Sequence, residues 1–475
     1  MSQLLGGLWW EGSQQIARGL GTAAAAPVDL SDPRLIELTR AFAGGVLRLG
    51  GTASDRVRYD LEPRLSKSRQ HGAQDNLVLS ADTWKAVSTF CSNTGLSLMM
   101  TLNCGKDAWS SRGQWDSTNA LELLQFDAAL ERPATVWALG NEVNGYPFVH
   151  GPRHFIGARR YSRAFRLFSE LVRRTHPDAL TAGPASSFWP VVGEQNPKIN
   201  RFLRFAGGDC DVVTWHYYPV HSHRGFFSTR WASPESLLAP KNLDELGRYS
   251  RHIQMIETRR GFAGERWLGE LGPALYGGEP GLSDRFLSGL WWLDALSSAA
   301  LAGEDRVFRQ TLFGSEYGLL RSESYIPNPD YWNSLLWKQL MGPGVHAVVA
   351  EDRPPHLRLY AQSDGPRNRK TLLAINVSDR DAFEIELAGI LAGSIRLRVY
   401  RVTAPDPFAR ELRINGAEPG AELLGNAGDP GTKFPGTCGR IGADLEALGM
   451  PTTDDSVILG PLSYCFVLAE GSGPG

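Results

Sequence analysis

Residues 135–142 read Thr-Val-Trp-Ala-Leu-Gly-Asn-Glu, an apolar run that ends at Glu142. A helical pattern precedes this run at Ala120–Leu130, and another follows it at Ala158–Arg174. A short apolar run between two helical patterns is typical of a buried parallel strand that helical crossovers join to its neighbours. The stretch therefore predicts one β/α unit whose strand ends in a carboxylate.

The same alternation continues in both directions along the chain. The predicted strands are Gly7–Trp10, Val46–Leu49, Leu96–Leu102, Thr135–Leu139, Leu180–Ala182, Val212–Tyr218, Arg266–Leu268 and Val307–Leu312. The other predicted helices are Asp32–Phe42, Thr83–Cys91, Leu243–Thr258, Asp284–Leu301 and Pro329–Met341. Eight strands that alternate with helices predict an α/β protein with a (β/α)8 TIM barrel, which occupies residues 1–341.

The pattern changes after residue 341. Short strand signals separated by turn residues run from Val345–Ala350 to Tyr464–Leu468, without long helical patterns between them. Many short strands with turn signals are typical of a β-sandwich. Residues 342–475 are therefore predicted to form an accessory C-terminal β-sandwich domain, with a long loop at Asn415–Asp454.

The composition of the 475-residue chain is that of a globular protein, with 42% hydrophobic and 21% charged residues. A net charge of −2 argues against binding nucleic acid through bulk charge. No apolar run reaches the ~18 residues that indicate a membrane span, and no signal peptide is visible in the chain. The five cysteines form no CxxC pair, which argues against both a disulfide framework and a metal-thiolate site.

Two glutamates lie at the predicted carboxyl rim, where barrel enzymes hold their catalytic groups. Glu142 follows the fourth strand, and Glu270 ends the stretch Trp267-Leu268-Gly269-Glu270 at the seventh. A retaining glycosidase needs two carboxyl groups about 5–5.5 Å apart, one as proton donor and one as nucleophile. A single glutamate at a strand end is common, but two in this placement favour glycoside hydrolysis.

The sixth strand and the loop after the seventh offer further candidates. His216 and Tyr218 are two residues apart, so both point to one side of the strand and can bond Glu270. The alternative for either is a plain core side chain. Paired glycines at Gly277 and Gly278 let backbone N–H groups approach an anion closely, although such a pair is more often a simple turn.

A basic region follows the fourth strand and has two interpretations. It is either a solvated helix face or a surface that guides an acidic polysaccharide through Arg153, Arg159 and Lys198. Other chemistries are set aside. The stretch Gly19–Ala24 imitates a dinucleotide fingerprint but follows no convincing strand, and the Walker, HExxH and GxSxG motifs are absent.

Several motifs together resemble heparanase and its relatives in glycoside hydrolase family 79. The matching motifs are Arg48-Leu49-Gly50-Gly51-Thr52, Leu139-Gly140-Asn141-Glu142, Val213-Thr214-Trp215-His216, Leu268-Gly269-Glu270, Tyr276-Gly277-Gly278, Ser283-Asp284, Trp292-Leu293-Asp294, Arg309-Gln310 and Asp330-Tyr331-Trp332. They keep one order over most of the chain, so chance similarity is excluded.

This resemblance implies a barrel flanked by a β-sandwich and a retaining cleavage at β-linked glucuronic acid. It gives Glu142 the acid/base position, Glu270 the nucleophile position, and Asn141 a bond to the sugar 2-hydroxyl. The positions that line the family's glucuronate subsite are matched by Tyr276, Gly277, Gly278, Gln310 and Tyr317. Neither a metal nor an organic cofactor belongs to the family's mechanism.

Two departures from the family pattern carry expectations. The segment Ala53–Leu96 is too short for the excised linker of animal heparanase, so the chain is expected to act as a single polypeptide. Glu279 stands in place of a third glycine and is expected to point away from the subsite. Neutral donors are expected to hold the glucuronate carboxylate, because the only basic residue found in the rim motifs is Arg309, which strand alternation turns away.

We therefore predict a retaining endo-β-glucuronidase of heparanase type that cuts inside heparan sulfate. The alternative is an exo-acting β-glucuronidase that releases terminal glucuronate from glycans, and a third class is a catalytically silent polysaccharide-binding protein. The expected partner is an acidic polysaccharide, and the expected state is a monomer without a membrane span. The substrate class predicts a secreted or periplasmic location.

Overall fold

The computed structural model describes residues 1–9, 21, 23–61, 77–322, 324–350, 352–387, 396–419 and 445–471. Within these residues, seven long strands form a parallel sheet that is nearly closed as a barrel. In chain order they are β1 (Val46–Leu49), β2 (Ser97–Leu102), β3 (Val136–Leu139), β4 (Leu180–Trp189), β5 (Val212–Tyr217), β6 (Glu265–Leu271) and β7 (Arg306–Arg309). Sequential neighbours pair throughout, and Gly193–Glu194 adds a short antiparallel partner to β4.

Helices precede and connect the barrel strands. In chain order they are α1 (Pro33–Arg40), α2 (Ala81–Thr94), α3 (Thr118–Ala128), α4 (Ala158–Thr175), α5 (Ile199–Ala206), α6 (Pro240–Arg260), α7 (Phe286–Leu301) and α8 (Pro329–Leu340). Side-chain hydrogen bonds fix the first residues of two of these helices. The Asp32 carboxylate accepts from two backbone N–H groups of α1, and the Ser80 hydroxyl accepts from Thr83 in α2, which satisfies donors that a helix start leaves free.

The prediction of Gly7–Trp10 as the first barrel strand is wrong, because this segment does not pair with the barrel sheet. Leu8–Trp9 pairs antiparallel with Ala23–Ala24 in a separate two-stranded sheet, and Trp10 lies outside the described residues. The close approach depends on Gly21, where an added Cβ would lie 2.6 Å from the Trp9 nitrogen. A second small sheet, Val57–Asp60 with Leu77–Ser80, was not predicted.

The chain after α8 forms two antiparallel sheets, which confirms the predicted β-sandwich. Its strands are β8 (Gly344–His346), β9 (Leu357–Asp364), β10 (Arg369–Asn376), β11 (Phe383–Glu386), β12 (Arg396–Thr403), β13 (Arg413–Ile414), β14 (Met450–Thr452), β15 (Ser456–Leu459) and β16 (Ser463–Glu470). Strands β11 and β15 form the smaller sheet, and one apolar cluster contains Leu372, Val399 and Val467 of the larger sheet with Ile385 and Val457 of the smaller. The domain division at residue 341 stays a prediction, and most of the predicted loop Asn415–Asp454 lies outside the described residues.

The larger sheet packs on the last two barrel helices. The Tyr464 hydroxyl donates to the Asn333 side chain of α8 at 2.5 Å, and Asp294 of α7 accepts from Arg358 and Tyr360. One continuous apolar cluster includes residues of both regions. In the described part of the chain, no helix combines the length and apolar character that spanning a bilayer requires.

Candidate active site

The loop after β3 places Glu142 at the carboxyl end of the barrel. Gly140 has φ +74 and Glu142 has φ +50, so the chain turns through the left-handed region twice within three residues. An added Cβ at Gly140 would lie 2.8 Å from the Tyr146 hydroxyl and 2.9 Å from the Cys104 Cβ. Only glycine fits there, and the turn it permits leaves the Glu142 side chain 20% exposed at the barrel mouth.

Glu270, near the end of β6, is a buried carboxylate with three partners. Oε1 accepts from the Tyr218 hydroxyl at 2.5 Å, Oε2 accepts from Arg48 Nη1 at 2.9 Å, and His216 Nδ1 lies 3.8 Å from Oε2. Burial raises the pKa of Glu270, but His216, Arg48 and Tyr218 together outweigh it and hold the pKa below the ordinary 4.5. The carboxylate is thus kept ionised, which is the form that a nucleophile requires.

The two glutamates meet at His216. The Glu142 Oε1 atom lies 3.2 Å from His216 Nδ1, and one oxygen of each glutamate together with this ring lie within 4.8 Å of one another. The same three side chains have donor types that a metal ion accepts. The Arg48 guanidinium lies 2.9 Å from Glu270 and 3.4 Å from His216 Nε2. The protein therefore already supplies a positive charge next to these three side chains.

Asn141 is fixed between Arg48 and a buried acid. Its Oδ1 atom accepts from Arg48 Nη2 at 2.8 Å and from the Gly51 N–H at 3.2 Å, while its own N–H donates to Asp55 at 3.1 Å. Burial raises the pKa of Asp55 to about 7, although the hydrogen bonds that it accepts from Cys104 and Asn141 act to lower this pKa. These contacts orient the side-chain amide, whose Nδ2 group makes no hydrogen bond to another described residue.

The loop predicted to bind glucuronate has a strained backbone. Tyr276, Gly277 and Gly278 have φ of +66, +84 and +84, and an added Cβ at Gly278 would lie 2.9 Å from the Tyr317 nitrogen. The Gly278 N–H already donates to the Ala274 carbonyl at 3.1 Å, so the expectation that this amide is offered to a ligand is wrong. Gly278 instead lets the loop approach Tyr317, whose hydroxyl accepts from Gln310 at 3.4 Å.

Arg224 stabilises this loop by contacting its backbone carbonyl groups, which the sequence did not indicate. The buried guanidinium donates through Nη1 to the Gly278 carbonyl at 3.1 Å and to Glu316 at 2.5 Å. Glu279 is held by the backbone N–H of His223 at 2.8 Å and by its ring at 3.0 Å. That its carboxylate points away from the subsite stays a prediction.

The expectation that Arg309 is the only basic residue of the rim motifs is wrong, because Arg48 is a second one. Arg48 lies in β1 and contacts Glu270 and Asn141 directly. The rule that selected the two glutamates, a polar residue at a strand's carboxyl end, would also have selected Arg48. Arg309 donates to Asp330 at 2.7 Å and lies over the Trp292 ring, and that it is turned away from the subsite stays a prediction.

The basic region lies largely outside the mouth. Lys198 is buried, donates to the Ile156 carbonyl and lies 4.4 Å from the Phe155 ring centroid. Arg159 belongs to α4 and lies over the Phe205 ring at 5.1 Å. Of the three residues predicted to guide a polysaccharide, Arg153 and Arg159 are exposed, and Arg153 lies in the short 3-10 helix Pro152–His154.

The chain is similar to known glycoside hydrolases. Residues 9–297 match the model of the N-terminal domain of glycosyl hydrolase family 79. Heparanase of Gallus gallus is 30% identical over 405 residues, which cover 74% of this chain and 74% of that protein. Baicalin-beta-D-glucuronidase of Scutellaria baicalensis is 26% identical over 489 residues, which cover 96% and 85%.

A solved structure agrees with the fold. The 4-O-alpha-L-rhamnosyl-beta-D-glucuronidase from Fusarium oxysporum 12S superposes with a TM-score of 0.64 at 15% identity, covering 91% of this chain and 90% of that one. At this level of identity the likeness shows the barrel and sandwich architecture alone.

Proposed function

Because the chain belongs to glycosyl hydrolase family 79, we propose that it is a retaining β-glucuronidase with Glu142 as acid/base and Glu270 as nucleophile. The observation that carries the proposal is the position of the two carboxylates, an oxygen of each lying within 4.8 Å of the other. That spacing suits direct attack on the sugar, since inverting enzymes separate the groups by about 6.5–9.5 Å to admit a water.

The proposed reaction has two steps. Glu270 attacks the anomeric carbon while Glu142 donates its proton to the glycosidic oxygen, so the bond to the leaving group breaks and a glycosyl ester forms on Glu270. Glu142, now a base, takes a proton from water, whose oxygen attacks the same carbon and releases Glu270. The surroundings support this division, because Glu270 is held by Tyr218 and Arg48 whereas Glu142 is partly exposed.

Recognition of glucuronate is assigned to neutral groups. The Gly277 N–H, the Gln310 amide and the hydroxyls of Tyr276 and Tyr317 are proposed to hold the carboxylate, and Asn141 the 2-hydroxyl. The carboxylate can be bound without a further cation where neutral N–H and O–H donors converge on it.

Release of terminal glucuronate is the mode that we favour. The supporting observation is that, of the basic residues predicted to guide a sulfated chain, Lys198 is buried and Arg159 lies over the Phe205 ring. Endo-cleavage of heparan sulfate is the second candidate, favoured by the 30% identity to a heparanase. A monomeric state and a secreted or periplasmic location stay predictions.

Product analysis tests the proposal. Proton NMR during hydrolysis of a β-glucuronide is expected to show the β-anomer of free glucuronate first, whereas initial formation of the α-anomer would contradict a retaining mechanism. Size analysis of digested heparan sulfate separates the modes. Release of single glucuronate units supports exo action, and a rapid fall in chain length supports endo action.

A further inference from the structure

Three aromatic side chains from the carboxyl ends of three successive barrel strands form a continuous surface beside the candidate active site. Phe148 follows β3, Trp189 ends β4 and Phe227 follows β5. The Phe148 and Trp189 ring centroids are 6.1 Å apart, and those of Trp189 and Phe227 are 5.8 Å apart, with interplanar angles of 31° and 33°. We call these residues the aromatic platform.

The platform is exposed although its residues are large and apolar. Phe148 is 68% exposed and Phe227 is 52% exposed. Val191 and Val192, just beyond Trp189, are 65% and 57% exposed and extend the apolar character of this loop. Apolar groups clustered in this way at a pocket mouth indicate a binding surface, whereas single exposed ones do not.

Ring contacts connect the platform to the pocket. The Trp189 ring lies 4.8 Å from the His221 ring, which lies 5.9 Å from the Tyr276 ring. Burial and the neighbouring Arg230 lower the pKa of His221 to about 4, so this link is uncharged at neutral pH. The chain of contacts therefore leads from the glucuronate side to an apolar surface.

The arginine and lysine side chains in the segments that join β3, β4 and β5 to the next helix have protein partners, with one exception. Arg224 pairs with Glu316, Arg230 pairs with Glu245 at 2.8 Å, and Lys198 donates to a backbone carbonyl. Arg153 is exposed and is the cation through which an anionic substrate could act. An apolar surface with so little free charge matches a neutral, flat leaving group better than a sulfated sugar.

We propose that the aromatic platform is the leaving-group subsite and that it binds a planar, uncharged aromatic aglycone. The inference rests on the proposed function, in which Glu142 protonates the glycosidic oxygen. The leaving group must then lie on the Glu142 side, and Phe148 belongs to the loop that follows Glu142. Stacking on Phe148, Trp189 and Phe227 removes apolar surface of the rings and of the aglycone from water and needs no ion pair.

The test compares three glucuronides that differ in the leaving group: methyl, benzyl and 2-naphthylmethyl β-D-glucuronide. All three leaving groups are primary alcohols of similar acidity, so stacking dominates the differences in kcat/KM. The variants are Phe148→Ser and Phe227→Ser, and the control Met255→Ser removes a side chain that is 59% exposed on the outer helix α6. Arg153→Ala tests the anionic alternative.

Each platform variant is expected to lower kcat/KM for the naphthylmethyl glucuronide by about three- to tenfold and that for the methyl glucuronide by less than twofold. Met255→Ser and Arg153→Ala are expected to change neither. Affinity for the non-hydrolysable S-linked naphthylmethyl thioglucuronide, measured by calorimetry, should follow the same order without turnover.

Equal losses on all three substrates, or no loss on the naphthylmethyl compound, would overturn the inference. So would a heparan sulfate fragment whose cleavage depends on Arg153 and not on the platform. If the wild type cleaves other glycosides but no glucuronide, the proposed function fails. The same three leaving groups on the sugar that it cleaves then test the platform by itself.

Discussion

Replacing Arg48 by methionine is expected to weaken catalysis through the nucleophile. Arg48 donates to the Glu270 carboxylate at 2.9 Å and to Asn141 at 2.8 Å, and the side chains of Arg48 and Glu270 are only 8% and 9% exposed. A hydrogen bond to a charged group contributes about 1.5–3 kcal/mol. Loss of the bond to Glu270 therefore predicts a fall in kcat/KM of about 10- to 150-fold.

The pH dependence gives a second, independent readout of the Arg48 variant. Arg48 is one of the groups that hold the pKa of Glu270 below 4.5 against the opposing effect of burial, so its removal raises that pKa. The acidic limb of the kcat/KM profile is then expected to move to higher pH. A carboxyl group with a lowered pKa stabilises the fold above its unfolded pKa, and this contribution is lost as the pH falls through the folded pKa. The loss of unfolding free energy in Arg48→Met should accordingly be largest at neutral pH and shrink below pH 4.5.

The assay is the pH profile of kcat/KM on an aryl β-glucuronide, with thermal unfolding measured at the same pH values. Arg48→Lys keeps the positive charge but cannot contact both Glu270 and Asn141 as the guanidinium does. Compared with Arg48→Met, it should bring the acidic limb closer to its wild-type position than it brings kcat/KM to its wild-type value. Arg58→Met, at a side chain that is 61% exposed, is the control for a lost surface arginine. A rate within threefold of wild type and an unmoved acidic limb in Arg48→Met would refute the reasoning.

Three further predictions concern the catalytic pair, the glycine loop and processing. Glu142→Gln and Glu270→Gln are each expected to lower kcat/KM by at least about 10²-fold while the protein stays folded by circular dichroism, and full activity of either variant would remove that residue from the mechanism. Gly278→Val, at φ +84 and with no room beside Tyr317, is expected to lower kcat/KM by at least about tenfold, and more for glucuronides than for the matching glucosides. Equal losses on the two sugars would show that the loop serves stability alone. The full-length chain is expected to be active without cleavage, and activity that appears only after proteolysis would disprove this.

The barrel was largely predictable because each of its strands carries a local signal. Strand β1 has the predicted bounds, and the predictions for β2 and β3 differ from the structure by one residue. The prediction Leu180–Ala182 ended β4 seven residues early, since the strand continues to Trp189. The largest error fell on Gly7–Trp10, whose apolar run predicts a strand but cannot specify its partner. Pairing with Ala23–Ala24 depends on contacts between distant residues, which a local pattern does not contain.

The site was predictable where it lies at strand ends and unpredictable where it lies in loops. Glu142 and Glu270 followed from the rule that barrel enzymes place catalytic groups at the carboxyl rim. Arg224 and Phe227 lie in irregular segments after β5, whose contacts no periodicity predicts. His216 shows an intermediate case: strand alternation predicted its direction, but its closest carboxylate is Glu142 at 3.2 Å and not Glu270 at 3.8 Å.

The two glutamates have the same side chain, so the different roles proposed for them must come from their surroundings. Glu270 is buried and accepts bonds from Tyr218 and Arg48, whereas Glu142 is 20% exposed and its described partner is His216. Arg48 also holds the Oδ1 atom of Asn141, which directly precedes Glu142 in the chain. One guanidinium therefore orients both the proposed nucleophile and the amide proposed to bind the sugar 2-hydroxyl. If the proposed roles hold, a sugar that is misplaced at its 2-hydroxyl is also misaligned with Glu270, because Arg48 contacts both side chains.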